Sequence, residues 1–402
     1  MTWPEPTTDL TGVELTMWAA QASATIADGV IADFEDETGA KVDVVVVPDP
    51  YAPNVLTKLA TGDKPDLMFW QSTLSVLNSI RADETLQDLS TAPWISALNE
   101  TNKNVGVVDG VHYAAVVQPI GTIGIYYNKQ AFEEAGITEI PTAYDEVIDA
   151  AESLKDAGIA SPIYEAGGAK WPTQYAVQGQ LSGLIEDGLW DDMNKNEASF
   201  ADPDIVEIIS DYNEIFTSGL GNENYQTATF DDQNTALYNG DAGMVMGGPS
   251  TVNALVNNYD GADLDERVGY FAAGPSGPIA LQVGGQENTV VAPKSGDETR
   301  ETATRQFLSY WTGPAYADYL DDKGYLSAQT DVPSPDSATQ LAETVNNWPS
   351  TQLSMQEGAV ANPDLYINLA SMLVGTATPE QVGQQTASQF SQIASAQGIP
   401  GF

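Results

Sequence analysis

The sequence contains no cysteine, a single histidine, and 14 basic residues against 57 acidic ones. Without cysteine there is no disulfide, no thiolate metal site and no cysteine nucleophile. The shortage of Lys and Arg leaves a formal charge of -43, which argues against nucleic acid or an anionic membrane as partner, since both require clustered cations. His112 is the one residue available to a Ser-His-Asp triad, and it sits in a predicted hairpin strand, where a structural role fits it. No run of 18 apolar residues occurs, so no membrane-spanning helix is expected. The amino-terminal stretch MTWPEPTTDLTG lacks the charged and apolar regions of an export leader. An exported form is therefore expected to have lost its leader, and any anchor, already. Phosphate-loop, dinucleotide, Gly-x-Ser-x-Gly and His-Glu-x-x-His motifs are missing. Asp192, Asn194 and Asn196 begin like a calcium loop, but Glu197 stands where glycine is needed and Pro203 where the closing carboxylate is needed. No metal and no cofactor is expected.

What is present is a chain of 402 residues, 42% of them hydrophobic, enough for two or three domains with substantial cores. The acidic residues are spread along it, as on a solvated surface. After a Pro- and Thr-rich lead-in over residues 1–11, expected to be flexible, residues 13–19 alternate as a strand. Residues 24–37 then place Ile26, Val30, Ile31 and Phe34 on one helix face, closed by Gly39. The Val-rich run 41–47 suits a buried parallel strand. A helix over 51–61 follows, and then the stretch KLATGDKPDLMFWQS at 58–72. This reads as a helix end, a Thr-Gly-Asp turn, a short buried strand and a polar loop from Gln71. It puts Trp70, Gln71 and Ser72 at the carboxyl end of a strand, where ligands bind in open α/β sheets.

Further along, Asp109-Gly110 predicts a hairpin turn. The extended run 111–127, broken by Pro119, Gly121 and Gly124, reads as a strand passing from one lobe to another near 117–122. A helix-rich region follows from Lys129. Strands at 162–164, 243–246, 267–272 and 289–292 alternate with helices at 142–157, 204–218, 230–239 and 297–311. Further crossings are expected near 274–280 and 312–316. Residues 1–119 and 278–314 would then form one lobe, and 120–277 and 315–402 the other. Thr378, Pro379 and Glu380 open a final helix, with proline at the first helical position.

The ordered set of segments resembles the extracellular solute-binding proteins of ABC transporters, in particular the carbohydrate-binding group of the maltose-binding type. The likeness is carried by Leu15, Thr16, Met17 and Trp18, by Phe34 through Gly39, and by Lys58 through Trp70. It continues in Ile125 through Lys129, Gly240 through Pro249, and Phe307 through Trp311. The resemblance implies a two-lobed α/β fold of the periplasmic-binding-protein kind, with a three-segment hinge and a ligand cleft between the lobes. It further implies capture by lobe closure, delivery to membrane permease subunits, a location outside the cytoplasm (periplasmic or as a cell-surface lipoprotein), and no catalysis. A monomer is expected. By the same resemblance Trp70 takes the place of a sugar-stacking Trp, with Gln71 and Ser72 beside it, and Trp171 matches a Trp of the second lobe. Gln21, Ser23, Gly285, Gln286, Asn362 and Tyr366 fall in loops facing the cleft. Ser250 replaces an aromatic after Gly-Pro, and Thr73 and Leu74 replace a charged pair, which argues against maltose itself.

Sugar sites need flat aromatic faces and planar polar groups buried together. Gln21, Gln71, Gln286 and Asn362 offer such amides, and Tyr51 and Tyr366 further rings; Trp18 reads as core. The arginines, Arg81, Arg267, Arg300 and Arg305, fall away from these loops, which disfavours an anionic ligand. The expected ligand is a neutral mono- or oligosaccharide. An organic cation such as a polyamine is the alternative within binding, and a secreted glycoside hydrolase with two opposed carboxylates is the alternative from another class.

Overall fold

β-Branched runs and punctuated helices organise the chain into two units, Met1–Ile120 with Gly284–Ala338 and Gly121–Val283 with Thr339–Phe402. The structure is a computed structural model, and it describes residues 3–48, 51–275 and 277–402. The chain begins with strands β1 (Glu14–Ala19), β2 (Lys41–Val46) and β3 (Leu67–Phe69). The short hairpin β4 (Val107–Val108) and β5 (Val111–His112) follows, and then β6 (Ala114–Val116). The second unit contributes β7 (Gly121–Asn128), β8 (Ser161–Ile163), β9 (Ala242–Gly247), β10 (Val268–Phe271) and β11 (Ala280–Val283). Strand β12 (Thr289–Val291) returns to the first unit and β13 (Thr351–Leu353) to the second.

In the first unit the sheet order is β2-β1-β3-β12-β6. β1 pairs in parallel with β2 and β3, and β12 runs antiparallel to β3 and β6. Alternation along each strand sorts side chains to two faces. Leu15, Met17, Leu67 and Phe69 go to a core with the helices Asp28–Thr38 and Glu298–Trp311, whereas Trp18, Met68 and Trp70 go to the opposite core with helix Tyr51–Ala60. β2 is parallel as expected, yet it is an edge strand: of its residues Val42 alone is buried. Its valines therefore reflect strand propensity more than burial. The hairpin turn is as expected, with Asp109 and Gly110 both at positive φ, 50° and 78°, which a two-residue turn of this hand requires.

The second unit's sheet runs β13-β11-β7-β9-β8, with β10 also paired to β7. β7 is its axis, meeting β11 from Gly121 to Ile123, β10 from Ile125 to Asn128 and β9 from Gly124 to Tyr127. A Cβ on Gly124 would lie 2.3 Å from Tyr270 Oη, so the glycine that interrupts the run in sequence is what lets β10 close on β7. Tyr270 Oη and Thr122 Oγ1 lie 2.7 Å apart, and Thr122 also donates to Val345 O at 2.5 Å.

Three expectations change. The lead-in is held down over its described part: Leu10 N–H donates to Thr38 O at 2.8 Å, Gln306 Nε2 donates to Thr8 O at 2.7 Å, and the Trp3 ring meets Trp94 edge-on at 5.0 Å. Met1 and Thr2 lie outside the described residues. The first crossing falls at Ile120 and Gly121. The others fall after Val283 and Ala338, because β11 pairs with β7 and helix Tyr316–Lys323 buries Tyr316, Tyr319 and Leu320 in the first unit's core. Gly313 and Pro314 read as a crossing but make a turn within that unit, with Gly313 N–H on Tyr310 O. Ser276, in the expected second crossing, lies outside the described residues.

Candidate functional site

In the first unit, the loop after β1 forms a single turn at Gln21–Ser23. Gln21 is exposed. Ser23 is buried and closes the turn on itself, accepting from Ala20 N at 3.0 Å. Trp70 is 1% exposed and ranks among the largest fully buried side chains. The position at a strand end is as expected, but the period-2 alternation sends the indole into the core with Trp18 and Met68. It offers no free face in this structure, and the expected stacking role does not fit it. Tyr51 is likewise buried, 6.2 Å from the Trp70 ring, and its hydroxyl donates to Phe69 O at 2.8 Å. Ser72 is buried, donating to Trp70 O at 3.1 Å and accepting from Thr289 Oγ1 at 2.8 Å. Tyr51, Trp70, Ser23 and Ser72 thus build the strand ends.

The loop residues Gln71, Gly285 and Gln286 stay half-buried. Gln71 Nε2 donates to Gly284 O at 2.9 Å, so the loop after β3 and the loop before β12 come together, although 213 residues separate the two partners. The latter loop is braced by Asn288, whose Nδ2 donates to Pro119 O at 2.8 Å.

In the second unit, Lys170 takes a left-handed conformation at φ 65° and leads into the turn Trp171–Thr173. The half-buried Trp171 ring packs 4.7 Å from Phe230 and 5.8 Å, edge-on, from Tyr175. Thr173 Oγ1 donates to Tyr366 O at 3.2 Å, which brings the half-buried Tyr366 beside this turn. Asn362 is exposed in the loop before helix Leu365–Leu373. Ser250 is half-buried in the first turn of helix Pro249–Asn258. The preceding Gly248 comes so close to Tyr175 that a Cβ would lie 3.0 Å from its Cζ and Oη, and Gly248 O accepts from Tyr126 Oη at 2.9 Å. The Tyr366 main chain is thus tied to the turn that begins at Trp171, and Tyr175 links Trp171 to the Gly248 loop that carries Ser250.

Sequence reasoning missed Phe230, Tyr175 and a set of buried amides around them. Gln174 Nε2 donates to Trp171 O at 3.1 Å, and its Oε1 accepts from Gln178 at 3.2 Å and Gln356 at 2.9 Å. It also missed Glu165, whose carboxylate accepts from Tyr212 Oη at 3.0 Å while Asn222 clasps its main chain on both sides. Burial pushes the Glu165 carboxyl up to about 7, against the Tyr212 and Ala166 hydrogen bonds that pull it down. Local spacing alone does not mark them, because the contacts that assemble them, Trp171 with Phe230, Glu165 with Tyr212 and Gln174 with Gln356, join residues far apart in sequence.

The arginines are all engaged elsewhere. Arg300 Nε donates to Asp66 Oδ1 at 2.9 Å, Arg305 Nη1 donates to Gln87 Oε1 at 2.7 Å, Arg81 pairs with Glu84 at 2.8 Å, and Arg267 lies over the Tyr238 ring at 5.0 Å. Aromatic faces, amides and hydroxyls without a free guanidinium make a surface suited to neutral, hydroxyl-rich molecules.

Comparison with known proteins decides the family. Residues 19–318 match the model of the bacterial extracellular solute-binding protein family. The chain belongs to that family. A diacetylchitobiose binding protein, DasA, of Streptomyces coelicolor is 24% identical over 399 residues, covering 95% of this chain and 90% of that protein. Among solved structures, a chitin oligosaccharide binding protein superposes with a TM-score of 0.79 at 19% identity over 95% of this chain and 99% of its own. The solute-binding protein RafE, solved with raffinose, gives 0.72 at 21% identity over 95% and 99%. The likeness to a two-lobed α/β solute-binding fold read from the sequence is thereby shown. No described helix is long and apolar enough to cross a membrane.

Proposed function

We propose that this solute-binding protein captures a neutral saccharide outside the cytoplasm and delivers it, chemically unchanged, to the permease of an ABC transporter. The observation that carries this reading is the second unit's aromatic corner, where Trp171, Phe230 and Tyr175 pack together beside Tyr366. Ring C–H faces stack on such surfaces, and nearby amides read the hydroxyls. The names of the relatives, for diacetylchitobiose, chitin oligosaccharide and raffinose, point the same way. In this reading Trp171, Ser250, Asn362 and Tyr366 of the second unit contact the sugar, and Gln21, Gln71, Gly285 and Gln286 are the first unit's own candidates. Trp70, Tyr51, Ser23 and Ser72 support from behind. The protein acts as a monomer and needs no metal or cofactor.

The engagement of the arginines supports a neutral ligand over an anionic one. A polyamine finds no carboxylate among these contacts, Glu287 excepted. Thermal unfolding in the presence of neutral oligosaccharides, uronates and polyamines, with product release assayed alongside, tests the reading. A neutral sugar is expected to raise the Tm and to be recovered intact. Stabilisation by polyamines alone, or turnover of the sugar, would overturn it.

A further inference from the structure

Two concave sites of this chain differ in charge. In the second unit, the groove between helices Pro203–Thr217 and Pro379–Ala396 is lined, among the described residues, by Glu207, Asp211 and Glu380 and by no base. A chain of 57 acidic and 14 basic residues leads one to expect as much. In the first unit, a cavity of about 220 Å³ beside helix Tyr51–Ala60 is lined by Lys64 and Arg81 and, among the described residues, by no carboxylate.

The floor of this cavity is apolar. Strand alternation sends Met68 of β3 toward helix Tyr51–Ala60, and Ile80, Leu86 and Pro293, all buried, close the floor around it. Leu56 and Leu59 of the helix form a wall, and Leu56 stays 37% exposed, so the cavity opens to solvent on that side. The cations stand where secondary structure stops. Lys64 precedes β3, and helix Leu74–Ser79 ends just before Arg81, which takes a left-handed φ of 49°. Thr85 Oγ1 braces that turn, donating to Ile80 O at 2.7 Å and to Arg81 O at 3.0 Å. Neither cation is strongly neutralised. Arg81 pairs with Glu84 where both side chains are exposed, a pair worth little in water. Lys64 has no carboxylate partner among the described residues, and the neighbouring Asp63 is taken up by Lys58.

We propose that this cavity is a second binding site, for a small amphipathic carboxylate whose aliphatic chain lies on Met68, Ile80 and Leu86 and whose charge meets Lys64 and Arg81 at the mouth. A cavity of about 150 Å³ accepts a benzene ring, so this one has room for roughly six to eight carbons. Burial of the chain supplies the affinity, and the two cations select the anion locally in a molecule whose overall field repels it. The inference goes beyond the saccharide reading and does not depend on it.

Octanoate is the probe, with octanol and octylammonium as charge controls, followed in the full chain by calorimetry and by the methyl resonances of methyl-labelled methionine. Octanoate is expected to saturate a single site and to shift the Met68 methyl, assigned through Met68→Leu, while the Met246 and Met355 methyls of the second unit stay in place. Lys64→Gln combined with Arg81→Gly, a residue at ease at positive φ, is expected to weaken octanoate at least about fivefold and to change octanol by less than about twofold. Leu56→Glu, a change at an exposed position, is expected to weaken octanoate as well without loss of folding. Absence of a saturable Met68 shift would overturn the proposal, as would octanol or octylammonium binding as tightly as octanoate. An octanoate affinity in the double variant within about twofold of wild type would place binding elsewhere and overturn it too. A wild type that sediments as a dimer and becomes monomeric with Leu56→Glu would put a second copy of the chain over the cavity, with the same consequence.

Discussion

Trp70 shows what a single position in a sequence can and cannot say. Its place at a strand end was legible in the Pro65–Trp70 pattern. Which way its ring points depended on the register of alternation against two cores, and that is set by helices distant in sequence. With 1% of its surface exposed, Trp70→Ala is expected to cost about 3–5 kcal/mol of stability in denaturant unfolding, the range for large aromatic truncations in cores. A cost under about 1 kcal/mol would mean that the ring is not core. Trp171 was named by resemblance, and its ring is half-buried. Its partner Phe230 was not, since a contact across 59 positions leaves no periodic trace. The same holds for Gln174 and Gln356, bonded across 182 positions, where residues typical of exposed helix faces are consumed in the interior.

Elements were read more fully than residues. Helix Phe230–Asn239 and the start of helix Pro379–Ala396 match the expected bounds, the first capped by Thr229 on Asp232 N and the second by Thr378 on Gln381 N. Caps are local chemistry and therefore readable. Burial of β2 and the later crossings were misread because sheet order and helix docking are decided by tertiary packing. One element carries a titration. The segment after β8 is tied to helix Pro203–Thr217 through Glu165 and Tyr212. Burial raises the Glu165 carboxyl from the ordinary 4.5 to about 7. Its stabilising contribution is therefore fully present below about 4.5 and lost as pH rises through about 7. Relative to Glu165→Gln, which stays neutral, wild type is expected to be equally stable near pH 4.5 and to fall behind by roughly 1–3 kcal/mol by pH 8. A difference that does not change with pH would contradict this account.

At the scale of the whole molecule, a charge of -43 makes self-repulsion a general destabilising field that salt screens. The Tm is expected to rise from low salt to molar salt, and an unchanged Tm would show that the acidic groups do not act collectively. The same charge, read with the engaged arginines and the aromatic corner around Trp171, underlies the central claim that the ligand is a neutral sugar left intact. Its most direct test is an isothermal titration of the wild-type protein with neutral oligosaccharides, followed by chromatography of the sugar. The account predicts saturable one-to-one binding of at least one of them, with the sugar recovered unaltered. No saturable heat from any neutral saccharide, or recovery of cleaved sugar, would contradict it.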